Sequence, residues 1–357
     1  MPKFCFFHLT RKWKNLGEKF EVLSDKLITM LKIGVLGAGH LGKIHINCIR
    51  QIDKFDLVGF FDPADSTARQ VEEETKVRCF GSIDSLIDAV DVVDIVTPTL
   101  RHFECASKAL QKRKHVFIEK PIVATPEEAN ALKRLADEAG VKVQVGHVER
   151  FNPAFIAAEP FITSPLFIEA HRLSIFNPRG TDVPVVLDLM VHDLDILLTL
   201  VKSPVTHISA NGVSIVSPTP DITNARIEFE NGTVANLTAS RLSMKNMRKT
   251  RIFQRDAYIS VDFLDKVAEI VRLQDTVDES NPLSATITLG DGTEKQITFE
   301  RPEIHPINAI KTELESFYDA IVHNTTPAVT IDDGINVLKL AYRILDAVKA
   351  SIAKVNK

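Results

Sequence analysis

Three groups of residues in this 357-residue sequence have the types and spacings that chemistry requires. The first is Gly37-Ala38-Gly39-His40-Leu41-Gly42, a G-x-G-x-x-G string that follows one apolar run and opens an amphipathic one. A strand feeding such a loop and then a helix forms a cradle for a dinucleotide. Gly37 permits the tight turn, Gly39 lets a pyrophosphate approach the backbone, and Gly42 lets helix and strand pack closely. The helix N-terminus offers unpaired N–H groups and partial positive charge to the phosphates. Asp62 stands twenty residues beyond Gly42, at the end of the next apolar run, where a carboxylate accepts hydrogen bonds from ribose hydroxyls. A ribose 2′-phosphate there would meet a like charge, with a repulsion of about 4 kcal/mol at 4 Å and an effective dielectric of 20. Pro63 and Ala64 follow Asp62 with no basic residue between them, so the reading favours NAD over NADP.

The other two groups are Glu119-Lys120-Pro121 and Asp188-Leu189-Met190-Val191-His192. Oxidising a secondary alcohol needs a base for the hydroxyl proton while hydride departs. A neutral imidazole at His192 suits that work near pH 7. Asp188, four residues earlier, would share its helix face and orient the ring. A lysine beside the same hydroxyl, Lys120, would stabilise developing alkoxide charge. A helical histidine more often serves packing, and a strand-end lysine more often meets solvent. Here the surrounding segment, Val185–Val201, is so apolar that a stripe of Asp188, His192 and Asp195 must face something polar. Asp195 can equally bridge two halves of the chain.

The elements that must position these groups follow from periodicity. From 31 to 148, apolar runs at Lys32–Leu36, Leu57–Phe61, Val77–Phe80, Val92–Val96, His115–Ile118 and Val141–Val145 alternate with amphipathic helices. Ser82 and Thr99 are suited to cap helices. Thr125-Pro126-Glu127-Glu128 has capping-box residues with proline at the first helical position. This alternation predicts a doubly wound parallel sheet, with the glycine loop and the Glu119–Pro121 string at its carboxyl edge. After Arg150 the texture turns to β: Leu166–Ile175, His207–Val216, Ala225–Glu230, Thr233–Ser240, Arg251–Phe263 and Ala285–Leu289, with Asn231-Gly232 and Asp291-Gly292 as hairpin turns. One apolar helix, Val185–Val201, interrupts them. Two helical stripes close the chain: Ile310, Leu314, Phe317 and Ile321, then Leu338, Ala341, Leu345 and Val348. The expected class is α/β: a parallel-sheet domain over 30–149, then over 150–357 an α+β domain with a large, mostly antiparallel sheet and C-terminal helices.

Together with Val96-Thr97-Pro98, these motifs resemble the glucose–fructose oxidoreductase / inositol dehydrogenase family over residues 31 to about 350. The resemblance implies a Rossmann domain and a catalytic set of Lys120, His192 and Asp188. It also places Thr97, Pro98 and Glu119 at the nicotinamide half of the cofactor. His102, one turn into the next helix, either approaches the cofactor or packs. Many members read D-x-G-x-H; Met190 replaces that glycine and would reshape the pocket. Glu169–Leu173, 179–182, Val186–Asp195 and Asn236–Arg241 are similar to the branch of UDP-N-acetylglucosamine 3-dehydrogenases. That branch implies a sugar-nucleotide substrate and an aminotransferase, dependent on pyridoxal phosphate, that consumes the keto product. Arg172, Arg179, Arg241 and Arg248, with Lys245, Lys249 and Arg251, then become candidate partners of a diphosphate, and Arg150 a candidate substrate contact. Arg150 has an interdomain salt bridge as its alternative, and the cluster as a whole a solvated edge or a subunit contact. A free sugar or polyol dehydrogenase, and a non-catalytic NAD-sensing module of the same fold, stay open as rivals.

Composition bounds the rest. A net charge of −4 gives no basic footprint for nucleic acid or an anionic membrane. No apolar run reaches the roughly 20 residues of a bilayer span. The four cysteines, Cys5, Cys48, Cys79 and Cys105, have no metal-ligand spacing, so neither a metal nor a disulfide framework is expected. The reading is a cytoplasmic protein, dimeric or tetrameric as is common in the family. Residues 1–29 differ in texture and end beside Met30. They read either as a dispensable extension or as a docked helix with Leu16, Phe20, Leu23 and Leu27 on one face.

Overall fold

The computed structural model describes residues 30–177, 183–275 and 284–355. The N-terminal extension and Arg179–Asp182 lie outside them. Strands β1 (Leu31–Leu36), β2 (Phe55–Phe61), β3 (Val92–Ile95), β4 (His115–Glu119) and β5 (Val143–Gly146) form a parallel sheet in the order β2-β1-β3-β4-β5. Their interiors are apolar because helices cover both faces: α1 (His40–Ile49), α2 (Asp65–Thr75), α3 (Ile83–Ala89), α4 (His102–Gln111) and α5 (Pro126–Ala139). The predicted strand at Val77–Phe80 is a correction. It makes only the single bridge Phe60↔Cys79, so Glu119 closes the fourth strand of the sheet rather than the fifth. Ser82 caps α3 through Ser85 N at 3.1 Å, and Thr125 and Glu128 form the capping box of α5. Thr99 is no cap; it begins a 3₁₀ turn that leads into α4.

After a short helix, α6 (Pro153–Ala158), comes a nine-stranded sheet. Its strands are β6 (Phe167–Leu173), β7 (Val205–Val213), β8 (Ile222–Phe229), β9 (Val234–Ser240), β10 (Met247–Phe253), β11 (Ala257–Asp262), β12 (Val267–Gln274), β13 (Ser284–Thr288) and β14 (Glu294–Glu300). The order is β13-β14-β12-β11-β10-β6-β9-β8-β7, antiparallel throughout except for the β6–β9 pair. The run Arg251–Phe263 is two strands, β10 and β11, and β12 and β14 were not visible as apolar runs because charged residues alternate along them. Gly232 and Gly292 adopt φ of 86° and 85° at the predicted turns.

The apolar helix α7 (Val191–Leu200) lies on this sheet, preceded by a π-turn at Val186–Met190. The closing helices α8 (Ala309–Val322) and α9 (Ile331–Val355) show both predicted stripes, yet they do not stay with the second sheet. Leu314 and Phe317 join the core of the parallel sheet with Ile33 and Phe117. In α9, Ile335 and Leu338 face the first domain, while Ala341, Ile344 and Val348 face the second. Division of the cores at residue 150 is therefore crossed by the chain's own C-terminus. The two sheets share one hinge of helix, with the site in the seam beside it.

Candidate active site

The glycine loop is built as its spacing requires. Gly37 has φ of 96°, and a Cβ on Gly42 would lie 2.1 Å from Gly37 O, so neither position has room for a side chain. A Cβ on Gly39 would meet nothing within 4 Å: the loop opens onto space there. The first turn of α1 has no side-chain cap and no acidic residue, which leaves its N–H groups for an external anion. Asp62 Oδ2 accepts from Ala38 N at 2.8 Å and Oδ1 from Ala64 N at 2.9 Å, so the carboxylate is aimed and anchored by the loop it serves. Gly37, Gly39, His40, Leu41, Asp62, Thr97 and Pro98 line one cavity of about 660 Å³. A dinucleotide fits this donor set: an open phosphate cradle and a ribose acceptor on one cavity.

Lys120 emerges from the end of β4 into the seam. Its Nζ donates to Asp188 O at 3.0 Å, and its backbone N–H to Glu119 Oε2 at 3.1 Å. Burial lowers the pKa of its ammonium, against the pull of Asp188 and Glu119. His192 faces the same space. Burial, then the charges of Lys120, Arg172, His147 and Arg248, push its pKa well below 6.5, so the ring is neutral. Its Nδ1 has no hydrogen-bond partner. Here the expected role of Asp188 changes: it holds Lys120 through its carbonyl and makes no bond to the imidazole. The π-turn explains this. Widening the helix at Val186–Met190 rotates Asp188 out of the i, i+4 register with His192. Met190, expected in the pocket, is fully buried in the core of the second domain, so it does not line the site.

His102 is buried and its ring is turned toward backbone carbonyls of the cofactor-edge loops. Its ring nitrogens lie 2.9 Å from Pro121 O and 2.8 Å from Thr97 O, and burial lowers its pKa, so the neutral ring donates to one of these two carbonyls. The arginines divide. Arg172, 3% exposed, donates to both oxygens of Asp193 at 3.0 Å and to Glu149 at 2.9 Å; its fork is filled by protein carboxylates. Arg241, 5% exposed, donates to Val183 O and lies 3.9 Å from Asp221. Neither is open to a diphosphate, a correction to the sequence reading: β-sheet residues that point inward toward acids become internal clamps. Arg150 takes its alternative role. It binds Asp195 through Nε and NH2, and reaches Ala328 O and Asp333, joining α7 to α9. Arg248 stays half exposed, 4.0 Å from Glu149, and acts on both Lys120 and His192. Arg179 lies outside the described residues. Sequence reasoning passed over His147, Glu149 and Asp193; the signal was a His and an acid at the exit of β5 and an acid inside an apolar helix.

Residues 31–147 match the oxidoreductase family with an NAD-binding Rossmann fold, and residues 171–260 match the GFO/IDH/MocA C-terminal domain. The chain belongs to this oxidoreductase family. UDP-N-acetylglucosamine 3-dehydrogenase from Acidithiobacillus ferrooxidans is 36% identical over 91% of this chain and 99% of its own length. A solved structure of that enzyme superposes with a TM-score of 0.81 over 90% of this chain and 98% of its own. An NAD-dependent scyllo-inositol 2-dehydrogenase from Bacillus subtilis is 30% identical over 60% of the chain and 68% of its own length. A scyllo-inositol dehydrogenase from Lactobacillus casei, solved with NAD(H) and scyllo-inositol, shares the fold at a TM-score of 0.72 and 21% identity. Within this family the glycine loop is an NAD site. Among the described residues, no helix is long and apolar enough to cross a membrane, and no group of His, Cys, Asp and Glu could hold a metal ion.

Proposed function

We propose that this protein is an NAD-dependent dehydrogenase of a sugar nucleotide, oxidising the 3-hydroxyl of UDP-N-acetylglucosamine. The observation that carries it is the meeting of a neutral His192 and a buried Lys120 ammonium in the seam at the carboxyl edge of an NAD-binding sheet. The likeness to the Acidithiobacillus enzyme over nearly its whole length supplies the substrate. When bound, the nicotinamide supplies the hydride acceptor. His192 takes the hydroxyl proton on its neutral ring. Lys120, fixed by Asp188 O, stabilises the charge that develops on the oxygen. Glu119, Thr97 and Pro98 shape the nicotinamide end, and Asp62 holds the adenosine ribose. Of the arginines expected at the substrate, the half-exposed Arg248 is the candidate to meet it, and Arg179 belongs to the same proposal.

The alcohol side of such an equilibrium is favoured, so a partner that consumes the ketone completes the reaction; an aminotransferase does this. The cytoplasm, where UDP-sugars and NAD are made, is the matching compartment, and a homodimer or homotetramer the matching assembly. A free polyol is the second reading. The internal engagement of Arg172 and Arg241 favours it, because it leaves fewer cations for a diphosphate. A panel of free and UDP-linked sugars with NAD decides, followed by ultraviolet absorbance of the reduced nicotinamide, with and without an aminotransferase and glutamate. Turnover of UDP-N-acetylglucosamine is expected. Turnover of inositol or glucose with none of any UDP-sugar would leave only the family assignment standing.

A further inference from the structure

Beneath the site, on one face of the parallel sheet, a line of buried polar groups that the proposed reaction does not use runs up to Glu119 at its nicotinamide end. His45 on α1 is fully buried. Its Nδ1 lies 2.9 Å from Asp94 Oδ2, and its Nε2 lies 3.2 Å from Glu119 Oε1, an ion-pair contact looser than an aligned hydrogen bond. Asp94 sits inside β3 with no exposure. The second oxygen of Glu119 accepts the backbone N–H of Lys120. On the next strand, a Cβ on Gly146 would come within 2.9 Å of the Glu119 carboxyl carbon, so β5 presses directly on that group. A ring between two carboxylates satisfies both only with a proton on each nitrogen; a neutral ring would aim a lone pair at a carboxylate oxygen.

The charges close on this assignment. Asp94 and Glu119 are balanced by His45 and Lys120. Among the other titratable neighbours, burial pushes the pKa of Glu313, on α8 with neither oxygen bonded, well above the usual carboxylate range, and pushes the Cys48 thiol up; burial also raises Asp94, against the opposing pull of His45. Lys311 of α8 acts on Cys48 from the solvent side. The line is no exit for a proton, since it ends at Asp94, which water does not reach. Its remaining use is electrostatic and geometric.

We propose that His45 is a positioning residue: a standing imidazolium that keeps Glu119 ionised and locked against the Lys120 backbone, and so fixes the Lys120 ammonium at the reacting oxygen. This rests on the dehydrogenase reading of Lys120. His45→Gln removes the charge, and His45→Lys restores it. His45→Gln is expected to lose roughly tenfold to a hundredfold in kcat with NAD affinity nearly unchanged. Without the cation, Glu119 takes up a proton more readily and joins His192 in setting the acid limb of kcat, which moves up by about one pH unit or more, and His45→Lys moves it back. A purely structural role would lower kcat equally at every pH; that result, or a limb unmoved in His45→Gln, overturns the proposal. Heteronuclear NMR of the ring nitrogens in histidine-labelled wild-type enzyme decides the matter where the variants do not fold. Both nitrogens of His45 should stay protonated above the roughly 6.5 at which a free imidazole loses its proton, through neutral pH. A neutral tautomer at neutral pH overturns the proposal. Because that measurement needs no substrate, failure of the dehydrogenase reading would show separately, as absence of turnover with every sugar.

Discussion

His45 and His192 are both imidazoles withdrawn from water, and their pKa values are pushed in opposite directions. Burial lowers the pKa of each. At His45, Asp94 and Glu119 reverse that effect and raise it well above 6.5; at His192, Lys120, Arg172, His147 and Arg248 add to it. Burial therefore does not choose between an ionic strut and a base; the sign of the neighbouring charge does. The linkage follows. His45 contributes stability that is complete below about pH 6.5 and is lost as pH rises through its folded value. His192, held neutral, contributes stability present above about pH 6.5 and lost as pH falls toward its folded value. The base at His192 should thus keep working into acid, and the rise in rate with pH should lie well below 6.5 rather than near neutrality.

The largest effect should come from removing the group that faces both sides of this contrast. Lys120→Ala and His192→Ala should each lower turnover by roughly two to four orders of magnitude. NAD affinity should hold, since neither touches the adenosine half of the cavity. Lys120→Ala carries a second signature: with one cation gone, the pKa of His192 rises, and the residual activity should show its acid limb at higher pH than wild type. Unchanged turnover in either variant would remove that residue from the chemistry, and an unmoved limb would break the argument from neighbouring charge.

Arg172 tests the same point through stability. Its guanidinium sits between Asp193 and Glu149, and removing it strands two carboxylates out of water. Arg172→Met should cost about 3–5 kcal/mol in urea unfolding. A loss under about 1 kcal/mol would mean the acids relax or protonate freely, and that the cation contributes little to its surroundings. This residue also shows where the sequence stops being readable. The cofactor half was legible because its roles are local: Gly37, Gly42 and Asp62 are fixed by a turn, a helix start and a strand end within one short unit. The seam was not. Arg172 read as a ligand for a diphosphate because nothing in the string tells that Glu149, from the end of the first domain, and Asp193, on α7, reach it in space. Asp188 misled for another reason: a π-turn looks like an α-helix in sequence and shifts every later side chain around the axis. Asp94, a charge inside a buried strand, was the one visible sign of the His45 line.

A smaller effect should appear at Asp62, a carboxylate held by backbone amides rather than by a cation. Asp62→Ala removes both the ribose acceptor and the brace on Ala38 and Ala64, so NAD should bind more weakly, by roughly tenfold, while NADP is less affected. Nucleotide fluorescence titration measures the two. Equal affinities for NAD and NADP in the wild type would show that the carboxylate does not discriminate, and that its bonds to the loop are its whole role.

The smallest effect should belong to Arg248, and it separates the two substrate readings. This arginine stands across from Arg172 in the β6–β10 register, half in solvent, and shares Glu149 with it at a looser 4.0 Å. Its charge is screened and partly answered, so its loss should barely move stability. A sugar nucleotide would gain a few-fold in KM from it, and that gain should shrink as salt rises toward a Debye length of about 8 Å. Arg248→Ala should therefore raise KM for a UDP-sugar at low salt, with wild type and variant converging at high salt and kcat close to wild type. A free polyol has no charge for Arg248 to meet. Equal KM values for wild type and Arg248→Ala at every salt concentration would remove this arginine from the substrate site and leave the diphosphate to residues such as Arg179.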